Sequence, residues 1–135
     1  MNFEEIDSNK VLNWRYLITE EITNEFASVA SDKNPIHFSD EYARGLGFNS
    51  KIFHGAALIS IISGLISREF IGEGSIILKV NSKFMKPAYV GEEVTFRLEV
   101  DKKNRLNKTI NILFFVINSS KKNIAKGSFL IHLKE

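Results

Sequence analysis

The chain has 135 residues, 44% apolar and 25% charged, which suffices for one domain with one hydrophobic core and excludes a natively disordered protein. Its 18 basic and 16 acidic residues leave a formal charge of only +2, without the basic excess of a dedicated nucleic-acid binder. The absence of cysteine excludes disulfides, thiol catalysis and cysteine-ligated metals, and three histidines are too few for a His-rich centre. The composition therefore predicts no metal and no cofactor.

The N-terminal segment MNFEEIDSNK is acidic and polar, whereas a secretory signal has a basic start and an apolar stretch. We therefore expect a cytoplasmic protein. The longest apolar run, 56–66, is far shorter than the roughly 20 residues that cross a bilayer, so we expect no membrane association. This run is predicted to be a buried helix instead.

The first elements are a strand and a short amphipathic helix. Large residues at Trp14, Tyr16 and Ile18 alternate with smaller or polar ones, as in a strand with one covered face. Thr19 followed by two glutamates is a typical helix N-cap, and it predicts a helix over 20–30. The face of this helix expected to be buried consists of Ile22, Phe26, Val29 and Ala30.

The stretch 31–53 has no period and is rich in turn residues, with one helical turn predicted over 40–44. Irregular connections of this length in compact domains commonly carry function. From Gly55 to about Arg68 the residues are apolar or small on almost every side, which predicts a helix enclosed by the rest of the fold.

The second half of the chain alternates with the period of β-strands. The predicted strands cover 76–84, 94–101, 110–117 and 124–133, joined in part by the polar connections 102–108 and 118–123. We expect the first two strands to have one solvent-exposed face, and all four strands to form an antiparallel meander. The predicted fold is α+β, a single domain over 1–135 with a curved antiparallel sheet wrapped around the central helix.

Asp32 and His37 are the first candidate for chemistry. They stand five residues apart in the segment DKNPIH, where an Asx turn closed by Pro35 can bring both side chains to one side of a loop. A carboxylate ionised at neutral pH and an imidazole with a pKa near 6.5 can exchange protons. The alternative is an ordinary Asx turn beside a surface histidine.

His54 and Gly55 begin the predicted buried helix. The first N–H groups of a helix have no partner within it, so the Gly55 N–H can hold an oxyanion. We interpret His54 chiefly as a helix cap. Ser63, two turns further on, can reach the same cavity, although by default Ser60 and Ser63 are helix-packing residues bonded to the preceding turn. His132 is expected at the surface without a role.

A longer pattern contains these residues. It comprises FASVASDKNPIH at 26–37, then Asp40, Tyr42-Ala43, Phe48, Ile52, His54-Gly55, Ser63-Gly64, Gly74-Ser75, Lys83-Phe84, Pro87 and Gly91-Glu92. This pattern resembles the signature of the MaoC-like, (R)-specific enoyl-CoA hydratases of hot-dog fold. The resemblance covers roughly residues 26 to 95.

The resemblance implies a hot-dog homodimer that adds water to trans-2-enoyl thioesters, giving (R)-3-hydroxyacyl thioesters, or performs the reverse dehydration. It implies that Asp32 and His37 are the catalytic acid–base pair, that Gly55 binds the thioester oxygen, and that Ser63 lies near the catalytic water. Ser31, where many members have glycine, and Ala30, where a small hydroxylated residue is frequent, depart from the family pattern. These departures concern loop geometry, because no reacting group is lost.

The resemblance also implies that the acyl tail runs beside the central helix. Ile59, Ile62 and Ile66 then limit its depth, so we expect acyl chains of about four to six carbons to be preferred. The acyl carrier, coenzyme A or an acyl carrier protein, stays open. A homodimer is also expected because strand 110–117 is apolar on both faces, more than one helix can cover.

Two other functions compete. A hot-dog thioesterase or acyl-carrier-protein dehydratase would carry a carboxylate on the central helix, but no acid stands between Gly55 and Arg68 and Glu69 comes too late. A non-catalytic acyl-thioester-binding module would use Asp32 and His37 only to close the loop. Turnover of a short enoyl-CoA separates this module from an enzyme.

Overall fold

The computed structural model describes residues 2–135 and contains three α-helices and five β-strands. The helices are α1 (Glu20–Ala30), α2 (Asp40–Gly45) and α3 (Gly55–Leu65), and the strands are β1 (Val11–Leu17), β2 (Ser75–Phe84), β3 (Glu93–Asn104), β4 (Thr109–Ile117) and β5 (Asn123–Leu133). Short 3₁₀ turns cover Phe3–Glu5 and Pro35–His37. The predicted sequence of elements is therefore confirmed, with boundaries that differ by a few residues.

The five strands form one antiparallel sheet in the order β1-β3-β4-β5-β2. The expected meander of four strands is wrong in one respect, since only β3, β4 and β5 are consecutive neighbours. β2 pairs with β5 at the far edge of the sheet, with Val80 opposite Phe129. The chain between β2 and β3 therefore crosses the sheet, and β1 and β2 form its two edges.

Helix α1 begins as its sequence predicts, because the Thr19 hydroxyl accepts a hydrogen bond from the Ile22 N–H at 3.1 Å. Ile22 and Phe26 pack against the core. Val29, expected on the same buried face, is 85% exposed, so that prediction is wrong. Ala30, the next and last residue of the helix and also expected on the buried face, is exposed as well.

Helix α3 and the inner face of the sheet share one hydrophobic core. The buried helix residues are Ala57, Leu58, Ile62 and Leu65, and the buried strand residues include Phe96, Phe114 and Phe129. The helix ends at Leu65 and continues as a π-helical turn over Ile66–Phe70, in which Arg68 and Glu69 are exposed. The central position predicted for this helix is confirmed.

Strand β2 does not have the buried face that its alternation predicts. All of its residues after Ser75 are exposed, among them Leu78 at 55% and Phe84 at 49%. This edge strand therefore presents apolar side chains on both faces, together with one row of unpaired backbone groups.

Within residues 2–135, no helix is both long enough and apolar enough to cross a membrane.

Candidate active site

The loop after α1 brings Asp32 to the site. Ser31 ends the helix in the left-handed region, with φ 54°, and the Asp32 N–H bonds back to the Ala27 carbonyl at 3.1 Å. Asp32 Oδ1 accepts the Asn34 N–H at 3.3 Å, which is the predicted Asx turn. One carboxylate oxygen thus fixes the turn, and Oδ2 remains for other contacts.

His37 lies at the end of the 3₁₀ turn and is 9% exposed. Its Nδ1 is 2.8 Å from the Ile52 carbonyl oxygen. Because a carbonyl can only accept, Nδ1 carries the hydrogen and Nε2 of the neutral ring carries the lone pair. Nε2 lies 3.8 Å from Asp32 Oδ2, so the structure brings the two predicted catalytic residues together.

Ile52 holds this arrangement against the rest of the fold. Its N–H donates to the Ile36 carbonyl at 3.0 Å, and it forms an isolated antiparallel bridge with Tyr89. The next residue, Phe53, donates to the Ala88 carbonyl at 2.7 Å. The irregular stretch is therefore anchored to the segment before β3 just where it supports His37.

His54 has a different place from the one that its sequence position suggests. It is the N-cap residue of α3, but its side chain makes no cap hydrogen bond, so the imidazole does not cap the helix. Its ring stacks on His37 with centroids 3.6 Å apart and planes at 22°. Its Nε2 lies 3.4 Å from the Asp32 carbonyl and 3.9 Å from Asp32 Oδ2. The signal that could have identified it is its presence in the family pattern beside Gly55.

Burial and neighbouring charges shift the pKa of His54. The ring is 3% exposed, and burial lowers its pKa below the ordinary histidine value, with a further decrease from the adjacent His37. The hydrogen bond to the Asp32 carbonyl and the Asp32 carboxylate oppose this shift. These effects together favour the neutral form of His54 at physiological pH.

Gly55 begins α3 beside a largely apolar cavity of about 380 Å³. The Ala57 and Leu58 N–H groups bond to the His54 carbonyl, and in the described chain the Gly55 N–H has no acceptor. A Cβ at Gly55 would lie 3.1 Å from the Phe84 ring. The cavity is lined by Phe48, Ile52, Phe53, Gly55, Leu58, Phe84, Met85, Lys86, Pro87 and Ala88.

The other predicted substrate contacts do not line this cavity. Ile62 and Ile66 are 0% and 1% exposed and belong to the hydrophobic core. Ser63 is half-buried on the same helix. The Ser60 hydroxyl donates to the Ala56 carbonyl at 3.0 Å, which confirms its expected bond to the preceding turn.

The cluster also contains three potential metal ligands, because one atom each of Asp32, His37 and His54 lies within 4.8 Å of the others. Two imidazoles that ligate one ion direct their lone pairs at a common point. Here Nδ1 of His37 and Nε2 of His54 face backbone carbonyls, so the lone pairs lie on different ring atoms, Nε2 of His37 and Nδ1 of His54. The arrangement is therefore suited to hydrogen bonding and proton exchange.

A five-stranded antiparallel sheet around a central helix, with a carboxylate and imidazoles before that helix, defines a hot-dog fold with an acid–base cluster. Solved structures of other proteins have the same fold. An R-hydratase from Pseudomonas aeruginosa superposes with a TM-score of 0.90 at 27% identity, covering 98% of this chain and 85% of that one. The (R)-hydratase from Aeromonas caviae gives a TM-score of 0.92 at 24% identity, covering 97% and 99%.

The sequence model of the MaoC like domain family matches residues 4–120, and the chain belongs to this family. The (R)-specific enoyl-CoA hydratase of Rhodospirillum rubrum is 30% identical over 98 residues, 73% of this chain and 68% of that protein. The enzyme of the same name from Aeromonas caviae is 40% identical over 75 residues, 56% of each chain. The latter match thus spans about half the length of that relative.

Proposed function

We propose that the protein hydrates trans-2-enoyl thioesters to (R)-3-hydroxyacyl thioesters, or catalyses the reverse dehydration. The observation that carries this proposal is the 3.8 Å separation of Asp32 Oδ2 and His37 Nε2, with the His37 tautomer set by the Ile52 carbonyl. The printed names of the similar proteins support the reaction type. The same names support the (R) stereochemistry of the product.

The pair is arranged to handle one water molecule. A separation of 3.8 Å is too long for a direct hydrogen bond, but one water can donate to both acceptors. During hydration the water oxygen bonds to C3 of the enoyl group and one of its protons passes to the Asp32–His37 pair. The pair delivers one proton to C2, so it ends in its starting protonation state.

Gly55 is proposed to bind the thioester oxygen. As C3 is attacked, negative charge develops on that oxygen, and a backbone N–H at the start of a helix stabilises it. The adjacent apolar cavity accommodates the part of the substrate beside the thioester. A Cβ at position 55 would lie 3.1 Å from the Phe84 ring, so a side chain there would make this ring shift.

The acyl tail is proposed to extend from Gly55 along α3, past Ser63, towards Ile62 and Ile66. Both isoleucines fill the core, so little space remains beside the helix for a long acyl tail. Short acyl chains, about four to six carbons, are therefore the proposed substrates. The carrier is coenzyme A or an acyl carrier protein, and similar proteins are named for both.

A homodimer joined through β2 is proposed as the functional unit. The free edge of β2 carries unpaired backbone groups and exposed apolar side chains, the two features that an edge-to-edge sheet pairing covers. The central helices of the two protomers then lie near the shared interface. The other edge strand of the described sheet, β1, also has exposed apolar side chains at Val11 and Leu17, but the exposed polar residues Asn13 and Arg15 stand between them.

The direct experiment is to mix purified protein with crotonyl-CoA and to follow the loss of enoyl absorbance and the stereochemistry of the product. Formation of (R)-3-hydroxybutyryl-CoA supports the proposal. Release of free coenzyme A would indicate a thioesterase, although α3 carries no carboxylate for that reaction. Tight binding without turnover would indicate a non-catalytic module.

A further inference from the structure

His54 is a buried imidazole that the mechanism above does not use. Its Nε2–H faces the Asp32 carbonyl, so Nδ1 carries the lone pair of the neutral ring. In the described chain Nδ1 is buried without a hydrogen-bond partner. A buried polar atom without a partner is destabilising, and a hydrophobic side chain would fill this space better. Space filling alone therefore does not explain why a histidine occupies position 54.

The closest contact of the His54 ring is the His37 ring, at 3.6 Å between centroids. His37 is fixed in its plane by the bond from Nδ1 to the Ile52 carbonyl, and rotation about that bond would move Nε2 away from Asp32. A ring stacked on one face prevents this rotation. The stack thus acts on the atom that faces the catalytic water.

The second contact of His54 is with the backbone of the other acid–base residue. The distance of 3.4 Å from Nε2 to the Asp32 carbonyl is long for a hydrogen bond, so we consider it weaker than the stack. Asp32 and His37 are the titratable groups that face His54. The aromatic rings of Phe26, Phe38 and Phe53 complete its surroundings at 5.0 to 6.3 Å.

We propose that His54 is a positioning residue, which holds the His37 ring by stacking and steadies the Asp32 backbone, and so maintains the separation that one water spans. This inference rests on the proposed hydration. A neutral partner suits the role, because a second charge 3.6 Å from His37 would oppose proton uptake by His37. The low pKa of His54 agrees with that requirement.

Three variants test the inference. His54→Gln removes the ring but keeps a donor, His54→Phe keeps a ring but removes the donor, and His132→Gln is the matched control on β5. We expect the kcat of His54→Gln for crotonyl-CoA to fall about 10- to 100-fold with little change in KM, because small misplacements of reacting groups have effects of this size. His54→Phe should recover most of this loss, and His132→Gln should equal the wild type.

A second readout does not depend on turnover. The Nδ1–H of His37 is expected to give an NMR signal that exchanges slowly with water, and exchange should accelerate about tenfold or more in His54→Gln but not in His54→Phe. Equal exchange in the wild type and His54→Gln would overturn the inference, as would a Gln variant that loses thermal stability but keeps its kcat. If the wild type lacks hydratase activity, the proposed function fails, and the exchange measurement still decides whether His54 holds His37.

Discussion

The Nδ1–H of His37 donates to the carbonyl of Ile52 at 2.8 Å, and this bond determines which ring nitrogen faces Asp32. A histidine free to adopt either tautomer would present a lone pair to the site only part of the time. Here the fixed donor leaves Nε2 as the acceptor, 3.8 Å from the carboxylate. The backbone of a residue 15 positions away thus sets the protonation pattern of the site.

Asp32→Asn and His37→Gln should each lower turnover by about 10² to 10⁴, the range for loss of a positioned acid or base. Both residues lie on the loop before α3, so the fold should persist, as judged by circular dichroism. The measurement is the rate of crotonyl-CoA hydration. Activity within about threefold of the wild type in either variant would remove that residue from the mechanism.

Gly55→Ala should reduce kcat/KM by about tenfold or more, because the new methyl group lies 3.1 Å from the Phe84 ring and occupies space in the cavity beside the Gly55 N–H. Gly64→Ala is the matched control on the same helix. Its Cβ has only the end of the Arg68 side chain nearby, at 3.6 Å, so activity should be kept and helix stability should rise. Equal losses in both variants would contradict a specific role for Gly55.

The low pKa of His54 predicts how stability depends on pH. Its folded pKa lies below the unfolded value near 6.5, so the unfolded chain binds more protons between these two values. The contribution of neutral His54 is present above pH 6.5 and is lost as pH falls through the folded pKa. Urea unfolding at pH 7.5 and 5 should show this loss, and His54→Phe should show less of it. Identical pH dependence in both proteins would be inconsistent with a buried neutral His54.

Leu78→Lys should convert the proposed dimer into a monomer, because a charged side chain on the exposed edge strand β2 opposes sheet pairing. Leu106→Lys is the control, since Leu106 is 96% exposed in the β3–β4 hairpin, away from that edge. Sedimentation at micromolar concentration measures both. A monomeric wild type would contradict the proposed assembly.

Ile66→Ala should shift substrate preference towards longer acyl chains by opening space beside α3. Ile71→Ala removes a similarly buried side chain elsewhere in the core and is expected to leave chain preference unchanged. Each truncation should lower the free energy of unfolding by about 2–5 kcal/mol, so folding must be checked first. The measurement compares crotonyl and dodecenoyl thioesters. A wild type that hydrates both with equal efficiency would show that these residues do not close the pocket.

Local signals predict the elements of this fold well. Thr19 and the glutamates after it place the start of α1 correctly, since a cap depends on neighbouring residues alone. The Asx turn at Asp32 is equally local. The position of β2 at an edge is not, because it depends on pairing with β5, nearly 40 residues later in the chain. Alternation in β2 resembles that of a half-buried strand, although neither face is covered.

The candidate active site shows the same difference between local contacts, which the sequence predicts, and long-range contacts, which it does not. Asp32 and His37 can be predicted from their spacing, because a turn brings them together. The contact of His54 with His37 depends on the anchoring of Ile52 by Ile36 and Tyr89, a tertiary arrangement without a short-range signature. Its position at the start of α3 therefore predicts a helix cap and gives no sign of the stack on His37.

The pairing of β2 with β5 has a consequence for the newly made chain. Synthesis completes β2 at Phe84 long before β5 begins at Asn123, whereas β1, β3 and β4 can pair as they emerge. Throughout this interval the apolar strand has no neighbour on either edge, a state that favours association with other unfinished chains. β5, the strand that protects β2, thus leaves the ribosome only after β3 and β4, and a protein shortened within β5 would retain the exposed strand.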